Sequence, residues 1–314
     1  MTPRPAFLCL LVSFASSCPT TDPPSYQTCP MKLGARVVGV NLREQINNTA
    51  LFERIKEDVY RHRLLLFEDQ GHIPADQFVA MFSRFGDTFQ VPYTTQGQGA
   101  ANHHKAPAPA IMRISNDPSE GFKGLGTTGW HIDGAYKPVP FSFLIFNSVK
   151  VPRLGATKFV GHREVIASMK QSTLRALDRL WTAITRMVKG ERVYEVHPFL
   201  YTHPIVNESV FCFHLGYMRG VIRDYGTENQ VALSLDDMLH LRREMTREIE
   251  KENERLVYAH KWSEGDLVIF DNLQIAHLAS KETQLPKEQI GLRVLHRISI
   301  NGFHRPTKTE DMVF

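Results

Sequence analysis

Three side chains set the chemistry this chain can attempt. His131 and Asp133 are two positions apart, and His277 follows the first histidine by 146 positions (277 − 131). Two imidazoles and a carboxylate can cover one face of an Fe(II) ion and leave about three coordination positions open. Residues i and i+2 of a strand point to the same side, so a His-x-Asp pair can reach a single ion. His277 must then arrive from a distant strand or its edge. Arg293 follows His277 by 16 positions (293 − 277), and Arg297 lies four further on. A guanidinium presents a planar fork of donors that matches a carboxylate, so this pair can grip a dicarboxylate cosubstrate and an acidic substrate. A 2-oxo acid binding through two oxygens would fill two open positions and dioxygen the third. With 14 histidines in the chain a lone His-x-Asp is unsurprising. The flanks give it weight: Trp130 precedes the pair, and His277 follows a Gly-Asp turn, an apolar strand and Asp271-Asn272.

The elements that must carry these residues follow from periodicity. A valine-rich alternation predicts a strand over 31–40, helical spacing a helix over 51–63, and the run 64–67 a buried strand. Pro74 near the first turn opens a helix over 74–85. Residues 86–129, rich in Gly, Pro, Ala and Asn, read as a long loop region broken by one strand at 111–114. Such loops in compact domains are often lids or binding loops. Strands are expected at 141–149, 157–160, 266–270 and 293–300, and a helix over 163–187. A second long helix starts at Ser234, where Asp237 completes a capping box, and runs towards Leu256. That helix can face water or cover a homo-oligomer interface. Many strands with few helices predict an α+β, mostly β chain, a β core with helical insertions. No repeat is evident, and 31–314 reads as one domain.

Composition narrows the classes. An apolar fraction of 42% over 314 residues supports a sizeable core. The charge, 37 − 33 = +4, and the lack of a basic stripe speak against nucleic acid. Four cysteines without a CxxC pair argue against a zinc ribbon or a thioredoxin-like site. Arg4 and the apolar run 6–15 have the form of a secretory signal, followed by a Pro-, Thr- and Ser-rich stretch that reads as disordered. Use of that signal would send the chain to the secretory pathway; translation from Met31 would leave it cytoplasmic. Elsewhere the chain has no run fit to span a membrane.

The motifs together resemble the taurine dioxygenase/2,4-D dioxygenase family of Fe(II)- and 2-oxoglutarate-dependent enzymes, from about residue 33 to about residue 302. They are Phe85-Gly86-Asp87, Trp130-His131-Ile132-Asp133, Gly155-Ala156-Thr157, His203-Pro204, Trp262-Ser263-Glu264-Gly265-Asp266, Asp271-Asn272, His277 and Arg293-Val294-Leu295-His296-Arg297. The resemblance implies a double-stranded β-helix, or jelly roll, with iron on His131, Asp133 and His277 near one mouth. It implies that Arg293, assisted by Thr157, binds the distal carboxylate of 2-oxoglutarate. It also implies that Arg297 meets the anionic group of a small carboxylate or sulfonate substrate. Tyr93, Thr127 and Tyr136 are candidate substrate-lining residues. Where the taurine enzymes carry a sulfonate-contacting histidine this chain has Gln90 or Val91, which speaks against taurine itself. The implied reaction uses O2 to oxidise a C–H bond, most simply by hydroxylation, while 2-oxoglutarate becomes succinate and CO2. A desaturase or other oxidative tailoring enzyme would use the same residues. A non-catalytic binding protein on the same barrel is the other alternative, and the complete triad with Arg293 argues against it.

Overall fold

The longest apolar runs become the central strands. In the computed structural model, which describes residues 26–91, 103–188 and 191–308, they sit in a seven-stranded sheet. Its order is Gln27–Pro30, Ala35–Val38, Leu64–Phe67, Leu267–Asp271, Phe143–Lys150, Val294–Ile300, Met112–Ser115. Neighbours are antiparallel except Ala35–Val38 with Leu64–Phe67, which run parallel. A strand buried on both faces needs no polar alternation, which is why 64–67 and 267–270 are apolar throughout.

The two faces have different partners. Leu65, Phe143, Ile145 and Ile269 pack with Phe52 of the helix Thr49–His62 and Phe82 of the helix Ala75–Phe82. Leu144, Phe146, Val268 and Phe270 pack the opposite way, onto Phe159 and Ile275 of a three-stranded sheet. That sheet runs in the order Tyr258–His260, Thr157–Gly161, Ile275–Ala279. Fully burying a side chain of this size contributes about 1.5–3 kcal/mol, so the sheet-to-sheet contact is the main adhesive of the site's floor. A four-stranded sheet, Val231–Ala232, Met218–Arg223, Leu180–Val188, Glu191–Pro198, forms a further wall. The capped helix Leu235–Glu254 follows it, and Ser234 makes both halves of the capping box with Asp237.

Two expectations are corrected. The helix expected over 163–187 is two short helices, His162–Ala167 and Gln171–Asp178, followed by the strand Leu180–Val188. Aromatic and β-branched Trp181, Thr182 and Ile184 pair with strands on both sides, and that tertiary pairing overrides the helical spacing. The stretch read as disordered contains the strand Gln27–Pro30, hairpinned onto Ala35–Val38. Tyr26 secures it: its hydroxyl donates to Asp58 at 2.6 Å, and both side chains are buried. The signal-like run lies outside the described residues. Among the described residues no helix is long and apolar enough to cross a membrane.

Candidate metal centre

His131 lies beside the strand Ile275–Ala279 as an added rung of the three-stranded sheet. Its N–H donates to the His277 carbonyl at 3.2 Å, and the His277 N–H donates back at 2.9 Å. The two histidines are therefore a directly opposed, hydrogen-bonded antiparallel pair, which brings their side chains to one place. Their rings are 4.2 Å apart.

Asp133 enters from a turn rather than a strand. Asn272, wholly buried, holds it there. Its Oδ1 accepts the Asp133 N–H at 2.8 Å, and its Nδ2 donates to the carbonyls of Asp133 at 2.9 Å and Phe141 at 2.8 Å. The preceding Asp271 shapes the turn into His277 by accepting the N–H groups of Leu273 and Gln274. Asp271–Asn272 thus ties the end of one apolar strand to two of the three candidate ligands. Trp130, next to His131, is buried and donates from Nε1 to Glu250 of the long helix at 2.9 Å.

The donor atoms of His131, Asp133 and His277 all lie within 4.8 Å of one another, the one such His/Cys/Asp/Glu group among the described residues. Asp133 Oδ1 is 3.7 Å from His131 Nε2, and Oδ2 is 3.9 Å from His277 Nε2. The protonation states suit a cation. Burial pushes both imidazoles below their usual range, which favours the neutral form. His131 Nδ1 lies 2.8 Å from the Gly129 carbonyl, a pure acceptor, so Nδ1 carries the proton and Nε2 keeps its lone pair. Burial would raise Asp133, but the Arg297 guanidinium, with smaller contributions from His277, His131 and His214, outweighs it and holds the carboxyl down at about 2. Among these only Arg297 carries a permanent charge.

All three donors line a cavity of about 470 Å³, as do Thr157, Arg293, Arg297 and Tyr136. Arg293 is 4% exposed, and its Nη1 is buried with no hydrogen-bond partner. Burial without a counter-charge pushes its guanidinium down to about 10. Leaving such a donor unmet is costly, so the geometry fits an anion beside it. Thr157 Oγ1 accepts from Trp262 Nε1 at 2.9 Å, which leaves the threonine proton free to donate elsewhere. Arg297 lines the same cavity, but its Nη1 donates to Asp133 Oδ2 at 2.6 Å.

The structure does not bring every expected residue to the cavity. The Thr127 hydroxyl turns back to the Gly124 carbonyl at 3.0 Å, and Gly126 lines the cavity in its place. Tyr93 lies outside the described residues. Three residues with no role expected from sequence are at the site: Asn272, Trp262 and His214. The His214 ring stacks on His131 at 4.5 Å and on Tyr217 at 3.9 Å. Asn272 and Trp262 stood inside recognisable motifs, whereas nothing in the neighbourhood of His214 marked it.

Comparison with known proteins accords with this geometry. Pentalenolactone F synthase of Streptomyces arenae is 25% identical over 285 residues, 83% of this chain and 90% of that protein. (S)-Phenoxypropionate/alpha-ketoglutarate-dioxygenase of Delftia acidovorans is 24% identical over 299 residues, 86% of this chain and 94% of that protein. Among solved structures, a putative alpha-ketoglutarate-dependent taurine dioxygenase from Burkholderia xenovorans superposes with a TM-score of 0.71 at 20% identity, covering 92% of this chain and 93% of that one. AAD-2 in complex with Mn(II) and N-oxalylglycine gives 0.66 at 18% identity, covering 90% and 99%. Residues 24–298 match the family described as taurine catabolism dioxygenase TauD, TfdA, and the chain belongs to that family.

Proposed function

We propose that this enzyme, a 2-oxoglutarate-dependent dioxygenase that uses Fe(II) and O2, hydroxylates a C–H bond of a small anionic organic molecule. The observation that carries the reading is the meeting of His131, Asp133 and His277 in one cavity with the buried, unpaired guanidinium of Arg293. Iron with 2-oxoglutarate and dioxygen supplies the oxidising power, and 2-oxoglutarate leaves as succinate and CO2. The chain's own residues supply position and a dry environment. His131 and His277 would offer Nε2 and Asp133 one carboxylate oxygen, with the other kept by Arg297. Arg293 would take the distal carboxylate of 2-oxoglutarate through its free edge, and the Thr157 proton, aimed by Trp262, would assist. The two facing sheets are read as the halves of a jelly roll, and residues of both line the cavity.

Anionic substrates suit the cavity's charge: four arginines line it against one carboxylate, Asp133. The name of the Delftia acidovorans relative, a phenoxypropionate dioxygenase, agrees with an organic acid. The test is succinate formation from 2-oxoglutarate under air with Fe(II) and ascorbate. The unaltered chain should form it, and His131→Ala should not while remaining folded. Equal succinate from both would remove His131 from the centre; none from either, across a screen of organic acids, would sink the enzymatic reading. Mass spectrometry of the screened acids separates the outcomes, since hydroxylation adds one oxygen and desaturation removes two hydrogens.

A further inference from the structure

The four arginines of the cavity fall into two pairs. Arg293 is buried and Arg297 is half-buried against Asp133, whereas Arg192 and Arg219, which line the same cavity, are exposed. The inner pair already has work. Arg293 holds the unmatched edge that suits 2-oxoglutarate. Arg297 spends Nη1 on Asp133 and brings Nη2 to 3.1 Å from Met112 Sδ.

The outer pair is placed by the four-stranded sheet. Arg192 lies on Glu191–Pro198 and Arg219 on Met218–Arg223, the two strands that flank Leu180–Val188. Thr185 of that middle strand also lines the cavity. It stands opposite Tyr194, two residues from Arg192, so strand alternation puts Thr185 and Arg192 on one face. Arg219 sits where the register shifts between Met218 and Gly220, an irregularity of the kind that re-aims a side chain. Its Nη1 donates to the carbonyls of Gly216 and Met218, both at 3.0 Å, which pins the guanidinium at the sheet edge. Among the described residues neither arginine has a carboxylate within ion-pair distance. The cavity wall also carries apolar Phe89, Ile114, Leu125, Phe146 and Leu295, with the Phe146 ring 5.8 Å from that of His277.

We propose that Arg192 and Arg219 determine substrate specificity by reading the acid group of an organic anion at the mouth, while an apolar body reaches along the wall towards the iron. The site would take an aryl or alkyl carboxylate, sulfonate or phosphate. This inference rests on the functional reading above for what happens at the inner end, but its test reads binding and keeps its meaning whether or not succinate forms.

The experiment is calorimetry under argon on the full chain with Fe(II) and 2-oxoglutarate, using 2-phenoxypropionate and its neutral amide as probes. The unaltered chain should bind the acid about tenfold or more tightly than the amide, and rising salt should shrink the ratio. Arg192→Gln with Arg219→Gln should bring the ratio close to one. The double lysine variant keeps the charge and should retain most of it, which separates charge reading from a merely structural role. Acid and amide binding alike, or neither binding, to the unaltered chain would overturn the proposal. A double glutamine variant that keeps the full ratio would do the same.

Discussion

The three-stranded sheet that carries Thr157 and His277 and the four-stranded sheet that carries Thr185, Arg192 and Arg219 face one cavity but are built to different tolerances. On the first, His131, His277 and Thr157 are buried, Asp133 beside it is half-buried, and all are braced: His131 and His277 by reciprocal main-chain bonds, Asp133 by Asn272, Thr157 by Trp262. On the second, the arginines are exposed, and Arg219 donates to main-chain carbonyls. Metal chemistry needs ligands held in fixed geometry, so the inner wall carries redundant bracing. Recognition of an organic acid tolerates adjustment, and the outer wall leaves its cations exposed.

Substitutions should split along this line. The largest effect is expected from His277→Ala, which should reduce succinate formation to background and abolish saturable iron binding. Retained iron uptake would break the assignment of the inner wall. Next, Arg293→Met should weaken 2-oxoglutarate by about 10–100-fold, the worth of a charge-assisted pair. The same change should leave the thermal midpoint of the ligand-free chain equal or higher, because it removes an unpaired buried charge. A lower midpoint would mean that Arg293 has a structural partner. Asn272→Ala should lower iron affinity about 10–100-fold and cost about 1–3 kcal/mol in denaturant unfolding, since it strands buried groups of Asp133 and Phe141.

Acid should weaken both regions. Burial pushes His162, which follows the strand of Thr157, down to about 3, and His197, in the outer sheet, down to about 4. The folded chain keeps both neutral while the unfolded chain takes up protons below about 6.5. Stability should therefore be level above that pH. It should fall by up to roughly 1.4 kcal/mol per pH unit for each histidine until the folded-state values are reached. Denaturant melts at pH 7 and pH 5 read this, and equal midpoints would contradict it. The smallest effect is expected from Thr185→Ala, within about 0.5 kcal/mol in unfolding. A cost as large as that of Asn272→Ala would erase the distinction between the two walls.

How legible each wall was in the sequence follows the same division. Strands at 64–67, 266–270 and 293–300 are readable because a buried strand must be apolar over a short run bounded by turn residues. The triad is readable because ligand chemistry restricts residue types and leaves a spacing. The mode of convergence is not readable: the rung that sets His131 against His277 is a main-chain contact between segments 146 positions apart (277 − 131), and the main chain has no residue code. Asn272 was visible as a motif but not as a brace, because its three bonds go to backbone atoms of distant loops. The outer sheet was misread at 163–187, where local spacing favoured a helix and strand pairing decided otherwise. Thr127 failed to reach the cavity because a glycine-rich turn offered its hydroxyl a nearer carbonyl.

The rung between His131 and His277 separates two properties that metal sites usually entangle. The gap between these two candidate ligand positions is set by peptide groups, so exchanging either imidazole leaves the scaffold's span as it was. Ion preference can then drift through replacement of single side chains, with no redesign of the frame that holds them. A lineage built on this rung could explore new ions one substitution at a time.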